Sequence, residues 1–147
     1  MTAKEYLSQA YKLDRDIEIT LAKADTMRKS LYGRGIQSGE SSQNIAGDSI
    51  GKAVAKVIDY ELKAEKMIDE LVDLRIEIEN AIKSVPIPLY QEVLERRYLL
   101  YQPFESGYDK KNGEYIKGIA ESMNYSERQI YRIHGIALQQ IDVSECQ

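Results

Sequence analysis

The sequence predicts an all-α protein: a long antiparallel, coiled-coil-like helical hairpin followed by a helix-turn-helix. Three observations carry that expectation. Apolar residues recur at helical spacing over most of the 147 positions, the three prolines are confined to one short stretch and one loop, and the chain ends on a Ser-capped pair of short helices. With 43% hydrophobic and 30% charged residues the composition is that of a folded chain, and with no Trp and one Phe its core must be built from Leu, Ile, Val, Ala and Tyr.

The first helix is expected over residues 3–31. Tyr6, Ala10, Leu13, Ile17, Thr20, Ala24, Met27 and Leu31 recur every three or four positions, Leu7 and Leu21 widen the stripe, and Lys12, Asp16, Lys23 and Arg28 fill the far side. Residues 32–49 hold four glycines and four serines and are expected to be a flexible loop. Gly47 to Lys52 has the look of a phosphate loop, but it has three residues between its glycines where the motif needs four, and Ala53 follows the lysine in place of Ser or Thr. A second helix is expected over residues 50–84, N-capped by Asp48 or Ser49. Val54, Val57, Ala64, Ile68, Leu71, Ile78, Ile82 and Val85 hold heptad positions interrupted only by Glu61 and Arg75. That seam serves either the chain's own hairpin or, in addition, a homo-oligomer through residues 1–85, and its pattern is the same for both.

Pro86 and Pro88 end the heptads, so the sequence divides into a hairpin at 1–85 and a second module at 86–147. Helical spacing resumes over 89–101, with Val93, Leu94, Tyr98 and Leu99 inward and Glu92, Glu95 and Arg96 outward. Residues 102–113 are polar and contain Asn112-Gly113, which suits a loop or a very short hairpin. They lack the alternating acids of a calcium loop.

Residues 115–141 form the informative constellation. A helix ending at Met123 is followed by Asn124, which tolerates left-handed backbone, and then by Ser126, which makes a Ser-x-x-Gln capping box with Gln129. Ile119, Ala120, Met123, Tyr125, Ile130 and Ile133 fall where two such helices must meet, with small Ala120 at the closest approach. Asn124-Tyr125-Ser126 also reads as a glycosylation sequon, which is incidental in a turn of this kind.

Glu92-Val-Leu-Glu-Arg-Arg-Tyr98, Ile119-Ala-Glu121, Tyr125-Ser-Glu-Arg-Gln-Ile130 and His134-Gly-Ile-Ala-Leu138 resemble region 4 of sigma-70-type factors. The whole chain resembles the small region-4-like regulators of phages and prophages, the ArpU- and RinA-type late regulators. The resemblance implies transcription regulation by contact with double-stranded promoter DNA, with RNA polymerase as a candidate second partner. The positions matching the family's base contacts are Glu127, Arg128, Tyr131 and Arg132. Arg suits guanine O6 and N7, Glu suits cytosine N4, and Tyr suits a thymine methyl or a phosphate. Ser126 with the first-turn N–H groups, and Lys117 on the preceding helix, suit phosphates. Two departures stand out: about a dozen inserted residues at 102–113, and only two basic residues after Ser126.

Charge and composition bound the alternatives. Net charge is −4, with 13 basic against 15 acidic residues in 1–85 and 7 against 9 in 86–147, so any DNA contact must be local or assisted. The single cysteine, Cys146, and single histidine, His134, cannot build a Cys/His metal cluster within one chain, and His134 at helical spacing is expected to be packed or solvated, not catalytic. No cofactor, metal or enzymatic activity is expected, because no nucleophile and base can be paired. No apolar run is long enough for a membrane span, and the start lacks a signal-peptide layout, so the expected location is the cytoplasm of a bacterial host. Two other functions compete: a small terminase-like DNA-packaging subunit and a coiled-coil adaptor. Terminase subunits usually carry the reader first, and here the order is reversed.

Overall fold

The computed structural model describes residues 1–37 and 43–144, with side chains described outside 33–48, and it is mostly helical. Cys146 lies outside the described residues, as does the middle of the stretch expected to be a loop. The helices are α1 (Ala3–Leu7), α2 (Gln9–Gln37), α3 (Gln43–Lys83), α4 (Pro88–Leu94), α5 (Ile119–Met123) and α6 (Glu127–Gln139); β1 (Gly107–Tyr108) and β2 (Tyr115–Ile116) form one antiparallel pair.

Three expectations are corrected here. The first helix is two: α1 starts on a capping box in which Thr2 and Glu5 exchange side-chain and backbone bonds, and the helix is interrupted at Ser8. The flexible loop over 32–49 does not hold for 32–37 and 43–49, which are helical. Glycine costs a helix about 1 kcal/mol relative to Ala without stopping it, and extending an existing helix is far easier than nucleating one. Consequently neither Asp48 nor Ser49 is the N-cap of α3.

The chain divides into two compact units, Lys12–Val72 on the one hand and Met1–Tyr11 with Asp73–Gln147 on the other. In the first, Ile17, Thr20 and Ala24 of α2 and Val57, Ala64 and Leu71 of α3 are buried. Thr20 Oγ1 donates to the Asp16 carbonyl at 2.8 Å and lies 4.0 Å from Met67 Sδ, while Arg28 pairs with Glu61, so the contacts run in opposite senses along the two helices. Only one heptad row of α3 is inside. Val54 and Ile68 of the expected seam, and Leu21 of α2, are exposed, because one neighbouring helix covers a narrower strip than a full two-row seam requires.

In the second unit Ile78 and Val85 lie on that same row, and Ile82, from the row of Val54 and Ile68, is buried as well. The helix then stops: Pro86 follows, Gln91 caps the end by donating to the Lys83 and Val85 carbonyls, and Pro88 opens α4 at the position where a missing N–H is harmless. Also fully buried in this unit are Leu7 of α1, Val93 and Leu94 of α4, Ile119 of α5 and Ile130 of α6. Beyond α4 the backbone widens into one π-helical turn, Glu95–Leu99, in which Tyr98 is buried and Leu99 is only half-buried. The expectation of four inward residues is met by Val93, Leu94 and Tyr98; the extra residue in the turn carries Leu99 off the inward face.

Candidate nucleic-acid interface

Local sequence fixes the geometry of α5 and α6. Helix α5 ends at Asn124, whose φ of 58° and ψ of 40° are left-handed. Tyr125 N–H then reaches the Ala120 carbonyl at 2.9 Å and Asn124 N–H the Glu121 carbonyl at 3.3 Å, the double bond pattern that closes a helix over a left-handed residue. Two residues later Ser126 caps α6. Its Oγ accepts from Gln129 N–H at 3.2 Å, and Gln129 Oε1 accepts from Ser126 N–H at 3.0 Å. The two helices are held by one cluster of Val93, Ile119, Ala120 and Ile130, with Phe104, Met123, Tyr125 and Ile133 packed against it. All six residues expected to meet are in that cluster.

With Ile130 and Ile133 turned inward, the outward face of α6 follows from its period. Arg128 and Arg132 sit about 40° apart around the helix and opposite Ile130. Both are exposed, and neither takes part in a hydrogen bond or ion pair among the described residues. Glu127 is exposed on the flank. Tyr131 shares that flank but is engaged: its hydroxyl donates to Glu105 at 3.0 Å and its ring lies 4.9 Å from Phe104. The bond to a carboxylate raises its pKa. Ser126 is likewise committed, since its hydroxyl also meets Gln129 Oε1 at 3.1 Å. Lys117 is exposed, but it precedes Gly118, the N-cap of α5, and so lies before the helix and not on it as expected.

Between the π-helical turn and α5, residues 107–116 form a hairpin of β1 and β2. Strand register pairs Gly107 with Ile116 and Tyr108 with Tyr115. The connection is closed by Asp109 N–H to the Glu114 carbonyl at 2.7 Å and Gly113 N–H to the Asp109 carbonyl at 2.9 Å, with Gly113 at a φ of 70°. Its stem crosses the start of α5 closely. Ile119 and Ala120 donate their N–H groups to the Pro103 and Phe104 carbonyls, Gly118 N–H donates to Ser106 Oγ at 2.8 Å, and a Cβ on Gly118 would stand 2.5 Å from the Glu105 carbonyl carbon. Ser106 and Tyr115 both donate to the Glu121 carboxylate, and these bonds, that from Ser106 first, lower its pKa. Gln102 donates to the Lys117 carbonyl and to Ser122 Oγ, which fastens the other side. Sequence reading missed the role of Glu105, Ser106, Gly118 and Glu121; Asn112-Gly113 was the only local signal for the turn.

On the inward face of α6, His134 is buried against buried Tyr98 and half-buried Phe104. Burial, reinforced by the Arg97 and Lys4 charges, pushes its pKa down to about 4, so the ring is neutral near pH 7. No group of His, Cys, Asp and Glu that could hold a metal ion occurs among the described residues, and no described helix is long and apolar enough to cross a membrane. Comparison with family models, curated proteins and solved structures finds no match to this chain.

Proposed function

We propose that the chain is a sequence-specific DNA-binding transcription regulator of the sigma region 4-like type, acting on phage or prophage promoters in a bacterial cytoplasm, with RNA polymerase as its second partner. In this reading α5, the Asn124–Tyr125 turn and α6 form a helix-turn-helix, α6 enters the major groove, and residues 1–85 form a helical hairpin open to use by a second copy. One observation carries it. Arg128 and Arg132 project together from the side of α6 opposite its packed face, without partners, and an unpaired guanidinium pair at that spacing suits guanine edges. Glu127 beside them suits a cytosine amine. Tyr131 supports the site differently from its expected base contact: tied to Glu105, it fixes the flank of the reading helix.

Two substitutions test the reading in the full chain. Arg128→Ala with Arg132→Ala should abolish the preference for the cognate promoter, at about 1–3 kcal/mol for each well-placed contact. Lys117→Ala should weaken all sequences alike and lower the salt slope by about one unit. Footprinting and promoter-reporter output, with folding followed by circular dichroism, decide it: unchanged promoter occupancy by the double arginine variant overturns the reading.

A further inference from the structure

The hairpin of β1 and β2 is fixed at its base and buries almost nothing. Both strands are exposed, as is every residue from 110 to 117, and Tyr108 is 74% exposed with its ring against Tyr115. Ordering a dozen residues costs about 1–2 kcal/mol of backbone entropy each, which an element without a core face cannot recover from its own packing. Its base nevertheless is clamped to both helices of the pair, through Ser106 and Tyr115 to Glu121 on α5 and through Glu105 and Phe104 to Tyr131 on α6. The clamp sets the stem on the Glu127 and Tyr131 flank of α6, beside the Arg128 and Arg132 ridge.

At the tip stand Lys110 and Lys111. The neighbouring acids bond within the loop: Asp109 Oδ1 accepts from Lys111 N–H at 2.8 Å, and Glu114 Oε2 accepts from Asn112 Nδ2 at 3.4 Å. Neither lysine ammonium has a hydrogen-bond or ion-pair partner among the described residues. At roughly 3.3 Å per residue, a stem and half-loop of four to five residues carries these charges about 15 Å from the Gly118 crossing. That is enough to pass the rim of the groove that α6 would enter and meet the sugar-phosphate backbone beside it.

We infer that the hairpin is a second DNA-contacting element, a wing whose Lys110 and Lys111 neutralise backbone phosphates flanking the groove read by α6. The inference rests on the proposed DNA-binding function and answers its main electrostatic difficulty. A module with 7 basic against 9 acidic residues gains from cations held on a projecting arm, away from the acids of the body.

The test uses the full chain and a duplex selected by the wild-type protein from a random library, with a scrambled duplex beside it, at several salt concentrations. Lys110→Ala with Lys111→Ala should lower affinity for both duplexes by roughly 10–50-fold at 0.15 M salt, lower the salt slope by about 1.8 and leave their affinity ratio unchanged. Lys110→Glu with Lys111→Glu should weaken both further. Thermal melts should match the wild type, since both side chains are exposed. Unchanged affinity and slope, with the wild type still selecting a duplex, would overturn the wing while leaving the proposed function standing, and is also what a protein-binding hairpin would give. A loss confined to the selected duplex would make the tip a base reader and overturn the phosphate role. Failure of the wild type to bind any duplex would overturn both proposals together.

Discussion

The hydroxyl of Tyr98 lies 2.7 Å from Nε2 of His134, joining residues 36 positions apart inside the core between the π-helical turn and α6. The rings stack at 5.7 Å, Phe104 meets the imidazole edge-on at 4.8 Å, and the Arg97 guanidinium lies 4.4 Å from the Phe104 ring centre. Desolvation holds the phenol up at about 12 and the imidazole down at about 4, so both are neutral across the physiological range. Tyr98→Phe leaves His134 Nε2 buried without its partner and should cost about 1–3 kcal/mol in urea denaturation.

The same pair sets a pH dependence. The unfolded imidazole takes up a proton near pH 6.5 and the folded one only near 4, so between those values the unfolded state binds more protons. Stability is therefore full above about 6.5 and falls as the pH drops toward 4, by about 1–3 kcal/mol. Denaturation midpoints between pH 7 and 4 check the slope. His134→Gln should lose most of it, whereas an unchanged slope in that variant would assign the effect to carboxylates.

Gly118 and Gly107 flank the β1–β2 hairpin and should respond very differently to alanine. At Gly118 the new methyl would meet main-chain atoms of Phe104, Glu105 and Ser106 at 2.5–2.7 Å, none of which can swing aside. The hairpin stem must lift off α5, at roughly 2–3 kcal/mol. Nothing lies within 4 Å of a methyl at Gly107, so that substitution should stay within about 0.5 kcal/mol. Melting temperatures, with limited proteolysis of the 105–117 segment, separate the two.

What could be read in the sequence was what is local. The Asn124 and Ser126 signals act over four residues and the Ile130, Ile133 and Ala137 face over one turn each, so the end of α5, the turn and the start of α6 were legible, whereas α5 begins two residues beyond the Lys117 expected on it. The glycines at 33, 35 and 47 misled because each is a modest penalty that a long packed helix absorbs. The π-helical turn was invisible, since a 3.6-residue period contains no sign of one inserted residue. The hairpin was one of two readings that Asn112-Gly113 allowed, and two-residue strands are too short for an alternation to decide between them. Of the candidate site, the arginine ridge was legible from spacing, while the engagement of Tyr131 depends on Glu105, 26 positions away.

Asn124 offers a narrow check on the turn. Its left-handed backbone is open to Asn and Gly and costs other L-residues roughly 1–2 kcal/mol. Asn124→Gly should leave stability nearly unchanged, and Asn124→Ala should lower it by about 1 kcal/mol. Urea titrations of both suffice: equal effects would mean that the turn conformation does not limit stability.

The most distant dependence predicted is that of α4 and α6 on the start of the chain. Leu7 in α1 is fully buried, α1 contacts α6, and Met1–Tyr11 falls in the same compact unit as Asp73–Gln147. A piece cut at residue 86 would thus lose Leu7 and Tyr6 as well as Ile78, Ile82 and Val85, and would expose the apolar side of α4 and α6. Its weak DNA binding, if measured, would report unfolding and not a missing avidity. Leu7→Ala in the full chain is the cleaner probe, with an expected loss of about 2–4 kcal/mol from transfer and cavity together. The cap residue Thr2 should add to this: Thr2→Ala removes the Oγ1 that receives Glu5 N–H and should cost about 1 kcal/mol. Amide exchange on α4 and α6 in Leu7→Ala locates the damage. Faster exchange there, about 80 to 130 residues from the substitution, is the expected result, and loss of protection confined to α1 would count against a shared core.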